Sequence, residues 1–527
     1  MAKDKKPKKQ KKSKPQAAAP ALAAGSAATP ALTVRHYCQG IGDCHLLSFP
    51  KQDGSVFRML IDCGVHSSVA GGTDLIDDIV ADLKAETGRR IDVRVISHEH
   101  WDHVSGFVTA GELFKDFSVG EVWMPWTEDP TDPDAVALDK FRAHALSALQ
   151  GAGRRLEAEH GLSGHMAGIR DGLQAVLGFQ FGAKGEKVRA ARDAAARLSA
   201  QQPPVYLGPD TAPFSIAGLP NLRIYVLGPP RDTAAMRLEE NASEMYELSG
   251  RRRRSLAGTL NAGLAAGEGG IGGYVDDASP FDRNVGTELS ALLAGAAEDD
   301  MAAFFQAHYS GDISSPLAAP APARGRSRKA PDRNLTDQSW RRIDTDWMAT
   351  AADLAMQLDR DVNNTSLVLA FEFLDTGRVF LFPGDAQVGN WLSWQMVKWP
   401  VGSATVEATD LIARTVYLKV AHHGSQNATP DKCGLDLMKS SDLSAFVPTS
   451  ERDAQKVGWG RMPYQAILTA LADKTNGRVI RADDEWIAKK DGRAGFTWPS
   501  GSIQEVRNAV RDTARGKGGL WVEVDLA

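Results

Sequence analysis

Cysteine is scarce in this chain. There are four in 527 residues, Cys38, Cys44, Cys63 and Cys433, with no Cys-x-x-Cys pair and no dense framework. That excludes a disulfide-built secreted scaffold and suits a reducing, cytoplasmic setting in which the thiols are ordinary buried side chains. Long apolar runs are missing too: no stretch of about 18 apolar residues occurs, so no membrane-spanning helix is expected. The alanine-rich segment behind the N-terminal lysines is interrupted by prolines, Gly25 and Ser26, which argues against the core of a signal peptide. The glycine stretch GEGGIGG at 267–273 lacks the Gly-Lys-Ser/Thr ending of a phosphate-cradling loop. No internal repeat is present.

What is present suffices for a large core. Hydrophobic residues make up 43% of the chain, and the length fits two or three domains, or fewer with long insertions. The formal charge of −5 hides a division: residues 1–14 hold eight lysines against one aspartate, a net +7, so the remainder sums to −12. The Lys/Ala/Pro leader, 1–33, has almost no aromatic or branched apolar residues to bury and is expected to be a disordered basic tail. Its lysines read first as a solvated tail and second as an attraction for nucleic acid.

Ordered patterns begin at residue 34. Segments 45–49 and 56–61 read as strands around Asp53-Gly54, a dipeptide suited to a tight hairpin. A helix over 74–87 and a short strand over 91–96 then deliver the chain into Ser97 and HEHWDH, after which Val104, Phe107 and Val108 mark the inner face of a new helix. Residues 34–137 form the first half of a sheet domain on this reading. Residues 138–204, rich in Ala, Arg, Leu and Glu at helical spacing, read as a helical insertion, and 205–230 as a return strand ending in VLGPP. Residues 231–360 form a variable Gly/Arg/Pro-rich insertion with RRRR at 251–254 and a proline-basic run at 314–333, a linker or mobile loop by composition. The second half, 361–527, brings strands back at NNTSLVLAFEF (363–373), RVFLFPGDA (378–386), RTVYLKVAHHGS (414–425), LSAFVPTS (443–450) and GRVIRADDEWI (477–487). A tryptophan-bearing helix follows Asp385 and another covers 464–473. Strands that end in polar clusters and alternate with helices gather those clusters along one sheet edge.

The densest cluster is His98, Glu99, His100, Asp102 and His103. Zinc and similar divalent ions take imidazole nitrogens and carboxylate oxygens at about 2.0–2.2 Å, and two ions about 3.5–4 Å apart can share a bridging carboxylate and a bridging hydroxide. In an extended loop alternate residues point the same way. His98 and His100 can therefore grip one ion while the turn into the helix brings Asp102 and His103 to a second. Asp385, which follows Gly384 at a strand end, adds a carboxylate, and His422 or His423 adds an imidazole. Glu99 and Trp101, between these residues, read as loop packing. His36, His66, His144, His160, His165 and His308 stand alone and read as surface or locally satisfied side chains.

Together GIGDCHLLSF, LIDCG, HEHWDH, VLGPP, NNTSLVL, FPGDA and LKVAHHGS resemble the metallo-β-lactamase superfamily, and within it the hydrolase domains of ComEC-type DNA-uptake proteins. These segments span 34–487; the two insertions have no counterpart in that pattern. The resemblance implies an α/β fold, an αββα four-layer sandwich of two mixed β-sheets with a dinuclear metal site at one edge. It implies His98, His100, Asp102, His103, Asp385 and His422 as metal ligands, with His423 the alternative to His422, and Asp62 as a support behind them. Asp102 and His423 are the catalytic candidates, His423 as proton donor. The implied cofactors are two divalent ions, zinc first and manganese second. Where many members carry a further metal-binding histidine this chain has Leu227-Gly228-Pro229-Pro230, which leaves the first ion fewer ligands and brings in single-metal occupancy or manganese as alternatives.

Three functions fit. The first is a phosphodiesterase or nuclease, with nucleic acid as substrate and, by analogy with the resembling proteins, an activating partner protein. The second is a hydrolase of small carbonyl substrates, a lactonase, thioesterase or β-lactamase. The third is a metal-binding scaffold or sensor without turnover.

Overall fold

Parallel strands joined by helices end at a common edge, and this chain uses that arrangement twice. In the computed structural model one sheet has eight strands in the order β16 (Ile503–Thr513), β17 (Gly516–Leu526), β1 (Leu32–Tyr37), β2 (His45–Pro50), β3 (Val56–Ile61), β4 (Arg90–Val95), β5 (Ser118–Pro125) and β6 (Val205–Leu207). The second has seven, in the order β15 (Val479–Arg481), β14 (Ser444–Val447), β13 (Thr415–Lys419), β10 (Arg378–Phe382), β9 (Val368–Phe373), β8 (Leu219–Gly228) and β7 (Phe214–Ile216). A two-stranded ribbon joins β11 (Lys398–Val401) to β12 (Ala404–Glu407). Strands β3 to β6 run parallel to one another, as do β10, β13, β14 and β15. Within each sheet the loops after the parallel strands open on one edge, and side-chain contacts such as His103 with Asp385 and His423 with Asp102 bring the two edges together. Residues described by the structure are 30–158, 186–197, 203–238, 241, 243–246, 303–304, 361–456, 462–490, 492 and 501–527.

The layering follows from strands that are apolar on both faces, as sheets covered on two sides require. Along β2, Leu47 and Phe49 face the second sheet while Leu46 faces outward; along β9, Leu369 and Phe371 face inward while Val368 and Ala370 face outward. The inward set forms one core between the sheets. Outside the first sheet, helix Gly72–Thr87 buries Leu75, Ile76, Ile79, Val80 and Leu83. Outside the second, helices Val388–Trp394, Ala408–Ala413 and Gln465–Lys474 bury Trp391, Trp394, Leu411, Ile412, Ile467 and Leu471. The order is helix, sheet, sheet, helix. No helix among the described residues is long and apolar enough to cross a membrane.

The hairpin expected at 45–61 is β2 paired antiparallel with β3, and Gly54 at its tip has φ +80°. Elsewhere the chain departs from the reading. The single helix expected after Asp102 is three short ones, Trp101–Val104, Gly106–Thr109 and Gly111–Phe114, because the Gly106 amide leaves the helical ladder to donate to Cys63 O at 2.9 Å. The strand expected from residue 363 starts at Val368, after a helical residue at 363 and a turn at 364–365, and only 479–481 of the last expected strand is paired. Leu32 and Thr33 pair with Leu526 and Asp525, so the tail drawn to residue 33 runs two residues into β1. The helical insertion drawn from 138 holds helix Glu186–Ala196 and most of helix Pro133–Ala158, which starts five residues ahead of that bound. Residues 1–29, the basic runs at 251–254 and 314–333, and His160, His165 and His308 lie outside the described residues.

Candidate metal centre

Asp62 leaves β3 with φ +56°, a left-handed conformation that a non-glycine residue adopts at some cost. The turn aims its carboxylate at the loop after β4. One oxygen accepts from the Ser97 amide at 2.7 Å; the other accepts from Ser97 Oγ at 2.6 Å and from His103 Nδ1 at 2.8 Å. The backbone laces the same segments together: Cys63 N donates to His103 O at 2.9 Å, and Asp43 N to Asp102 O at 3.1 Å. Gly64 is required by this closeness, since a Cβ there would sit 2.4 Å from the Asp102 carbonyl carbon. Gly384, with φ +57°, similarly lets Asp385 turn inward beside Ser366.

The imidazoles are oriented as metal-binding histidines are, with one ring nitrogen tied to the protein and the other presented. His103 donates from Nδ1 to Asp62, and its Nε2 lies 3.1 Å from Asp385 Oδ2. His423 donates from Nδ1 to Pro448 O at 2.7 Å, and its Nε2 lies 3.1 Å from Asp102 Oδ2. The Ser97 hydroxyl proton is committed to Asp62, so Ser97 Oγ accepts from His98 Nδ1 at 3.0 Å, and His98 Nε2 then faces His100 Nδ1 at 3.0 Å. Ligands about 2.0–2.1 Å from a tetrahedral ion are separated by roughly 3.3 Å. The three facing pairs are a few tenths of an ångström from that spacing.

Ligand-type atoms of His98, His103 and Asp385 lie within 4.8 Å of one another, as do those of Asp102, His103 and His423 and those of Asp43, Asp62 and His103. All of these residues are buried. The donor set of imidazoles and carboxylates fits divalent zinc or manganese.

Two members were not anticipated. Asp43 and Lys419 form a buried ion pair, and Lys419 Nζ also donates to Gly384 O at 2.8 Å and lies 3.4 Å from Asp385 Oδ1. A lysine inside the apolar run TVYLKV was the available signal, because a buried lysine needs anionic partners. Burial alone would lower the Lys419 ammonium, but Asp43 and Asp385 outweigh it and raise it. Burial likewise favours neutral Asp385, yet His103 and Lys419 hold it well below the usual carboxylate range. Asp102 is held low against burial by His103 and His423. The two imidazoles shift the other way: His103 is raised well above its ordinary value and His423 is raised, because the carboxylates around them outweigh burial. His98 is lowered by burial and by its neighbours His103 and His100.

The adjacent histidines take different places. His422 and His423 both have positive φ, 45° and 53°, and this double turn sends the second ring to Asp102 and the first elsewhere. His422 lies 2.8 Å from Ser425 Oγ and 3.4 Å from both Gln387 Nε2 and Asn363 Nδ2, and only its backbone amide reaches Asp385, at 3.0 Å. Burial brings its pKa down to about 4. His422, named first as the ligand, is thus outside the three ligand groups, and His423, its alternative and the proton-donor candidate, is inside; His100, also expected as a ligand, belongs to none of the three, although its Nδ1 lies 3.0 Å from His98 Nε2. Of the two readings offered for His36 and His66, surface or locally satisfied, the second holds: both are buried, His36 bonded to Tyr417 Oη at 2.7 Å and stacked on Phe446, and His66 bonded to Ser68 Oγ at 2.7 Å. Compared with protein-family models, with curated proteins and with solved structures, the chain finds no match in any of the three.

Proposed function

We propose that this chain is a metal-dependent hydrolase of the metallo-β-lactamase fold whose substrates are phosphodiesters, nucleic acid among them. The observation that carries the reading is the convergence of His98, His103, Asp385, Asp102 and His423 where the two sheet edges meet, with His98, His103 and His423 each tied by Nδ1 so that Nε2 is presented. Divalent ions bound there would act as Lewis acids and lower the pKa of water. Asp62 and Pro448 O fix the two rings, and Lys419 keeps Asp43 and Asp385 ionised. His422 is neutral near pH 7 and sits beside Asn363 and Gln387, an arrangement for hydrogen-bonding substrate rather than for giving up a proton. The phosphodiester preference rests on the resemblance of NNTSLVL, FPGDA and LKVAHHGS to ComEC-type hydrolase domains.

The test is hydrolysis of an aryl phosphodiester, DNA and RNA by protein supplied with zinc or manganese. Cleavage that stops with chelator, and that is nearly lost in folded His103→Ala and Asp102→Ala, supports the reading. Turnover of lactones or thioesters with every phosphodiester left intact would overturn it.

A further inference from the structure

The helical insertion meets the ligand-bearing loop after β4 at a buried carboxylate. Glu99 lies between His98 and His100, and its buried carboxylate belongs to none of the ligand groups. Its Oε1 accepts from Arg142 Nη1 at 3.0 Å and its Oε2 from Arg192 Nη1 at 3.1 Å. The same two nitrogens donate to Glu128, at 3.2 and 2.8 Å. Arg142 belongs to helix Pro133–Ala158 and Arg192 to helix Glu186–Ala196. Two cations from the insertion therefore alternate with two anions of the sheet domain, and Arg192 makes a further pair with Asp193 of its own helix at 3.1 Å.

Arg142 extends the network to a second ligand-bearing segment. Its Nη2 donates to Thr365 Oγ1 at 3.2 Å. The next residue, Ser366, lies with its Oγ 3.3 Å from His98 Nδ1 and accepts from the Asp385 amide at 3.0 Å. Charge-assisted bonds of this kind are short and directional, and they strengthen where water is excluded. The span from Ser97 to His100 has no helix or strand to hold it, so side-chain bonds carry much of its geometry.

We propose that Arg142 and Arg192 are positioning residues for the metal centre: acting through Glu99, they hold the His98–His100 span in its ligand geometry. Anything that moves the two helices then changes the affinity for the ion held by that span. The proposal rests on the metal-centre reading above, though not on its choice of substrate.

The experiment uses the full chain, with zinc alone as probe, competed against a chromophoric chelator and paired with thermal denaturation. The deciding variant is Glu99→Gln/Arg142→Gln, which removes one anion and one cation and leaves Arg192 and Glu128 paired. One of the two zinc ions should bind about 10–100-fold more weakly in it, the range expected when a contact behind a ligand is lost. Arg142→Lys, which keeps the charge but gives up the forked link to Thr365, should fall between the double variant and wild type. Glu99→Gln alone, preserving side-chain shape, repeats the measurement if the double variant does not fold. A folded variant that binds both ions with wild-type constants would sink the proposal, as would equal loss of both ions. Wild-type protein that binds no zinc removes the metal centre and this proposal with it. Wild-type protein that binds zinc and hydrolyses no phosphodiester removes only the substrate reading.

Discussion

Loading the centre with metal near pH 6 should expel about two protons, because imidazoles bind metal in their neutral form. The count comes from the groups that their surroundings shift in the metal-free protein, His103 and His423 above all. Asp102 and Asp385 are held well below the usual carboxylate range, so they are already ionised and release nothing. Lys419 is raised and keeps its proton. Burial lowers His98 and His422, which are neutral near pH 6 and also release nothing. His103 and His423 are raised by the carboxylates around them, so both carry a proton on the nitrogen that metal would take. Apparent affinity for the pair of ions should then rise by about 100-fold per pH unit, roughly 2.7 kcal/mol, or twice the ~1.36 kcal/mol carried by one proton. The rise should level off once pH exceeds the folded-state values of both rings. Metal-free stability runs the opposite way: the two raised imidazoles contribute fully below their ordinary value of about 6.5, and that contribution is lost as pH climbs through their folded-state values. Calorimetric titration in buffers of different ionisation enthalpy counts the protons directly. Release of fewer than about one proton, or an affinity flat from about pH 5.5 to 7.5, would refute the assignment of charge to His103 and His423.

Three further outcomes are expected. The Arg94 guanidinium is wholly buried between Phe107 and Phe114, 4.4 and 4.6 Å from their ring centres, and makes no hydrogen bond among the described residues. Burial brings its pKa down to about 10, so Arg94→Met should raise stability to chemical denaturation by about 1–4 kcal/mol; a fall in the midpoint would show that the cation is compensated. Gly64→Ala, whose Cβ would lie 2.4 Å from the Asp102 carbonyl, should cost about 1–3 kcal/mol and displace Asp102 enough to lower bound zinc, and wild-type metal content would contradict this. Removing residues 1–29 should leave the melting temperature unchanged, whereas removing 1–37 deletes β1 from between β2 and β17 and should abolish cooperative unfolding; equal melts would show that β1 is dispensable.

What could be read in the sequence was set by how local each signal is. HEHWDH concentrates its ligand-type residues in one loop, and Asp385 follows a plain apolar strand, so both were legible without any tertiary information. The hairpin β2–β3 was legible because its apolar strands flank an Asp-Gly turn. The C-terminal hairpin was not. Its strand β16 is mostly half-exposed or exposed, and its charged residues, such as Arg507 paired with Glu523 and Asp525, break the alternation of apolar and polar residues that marks a strand. The partnership of Asp43 with Lys419 joins the start of the first sheet to the middle of the second, so only the meeting of the two sheets reveals it.

Composition could not order the two adjacent histidines either, since His422 and His423 are chemically the same. Their order is set by two successive left-handed residues after β13 and by one acceptor, Pro448 O at the end of β14, which the second ring alone reaches. A parallel neighbour thus selects the ring that meets Asp102. The same logic applies at Asp62, where a left-handed turn after β3 selects His103. At both places backbone strain of about 1–3 kcal/mol is tied to the orientation of one imidazole. Each turn follows a strand of a different sheet, and the two selected rings meet with centres 6.1 Å apart, His103 beside Asp385 and His423 beside Asp102, each at 3.1 Å.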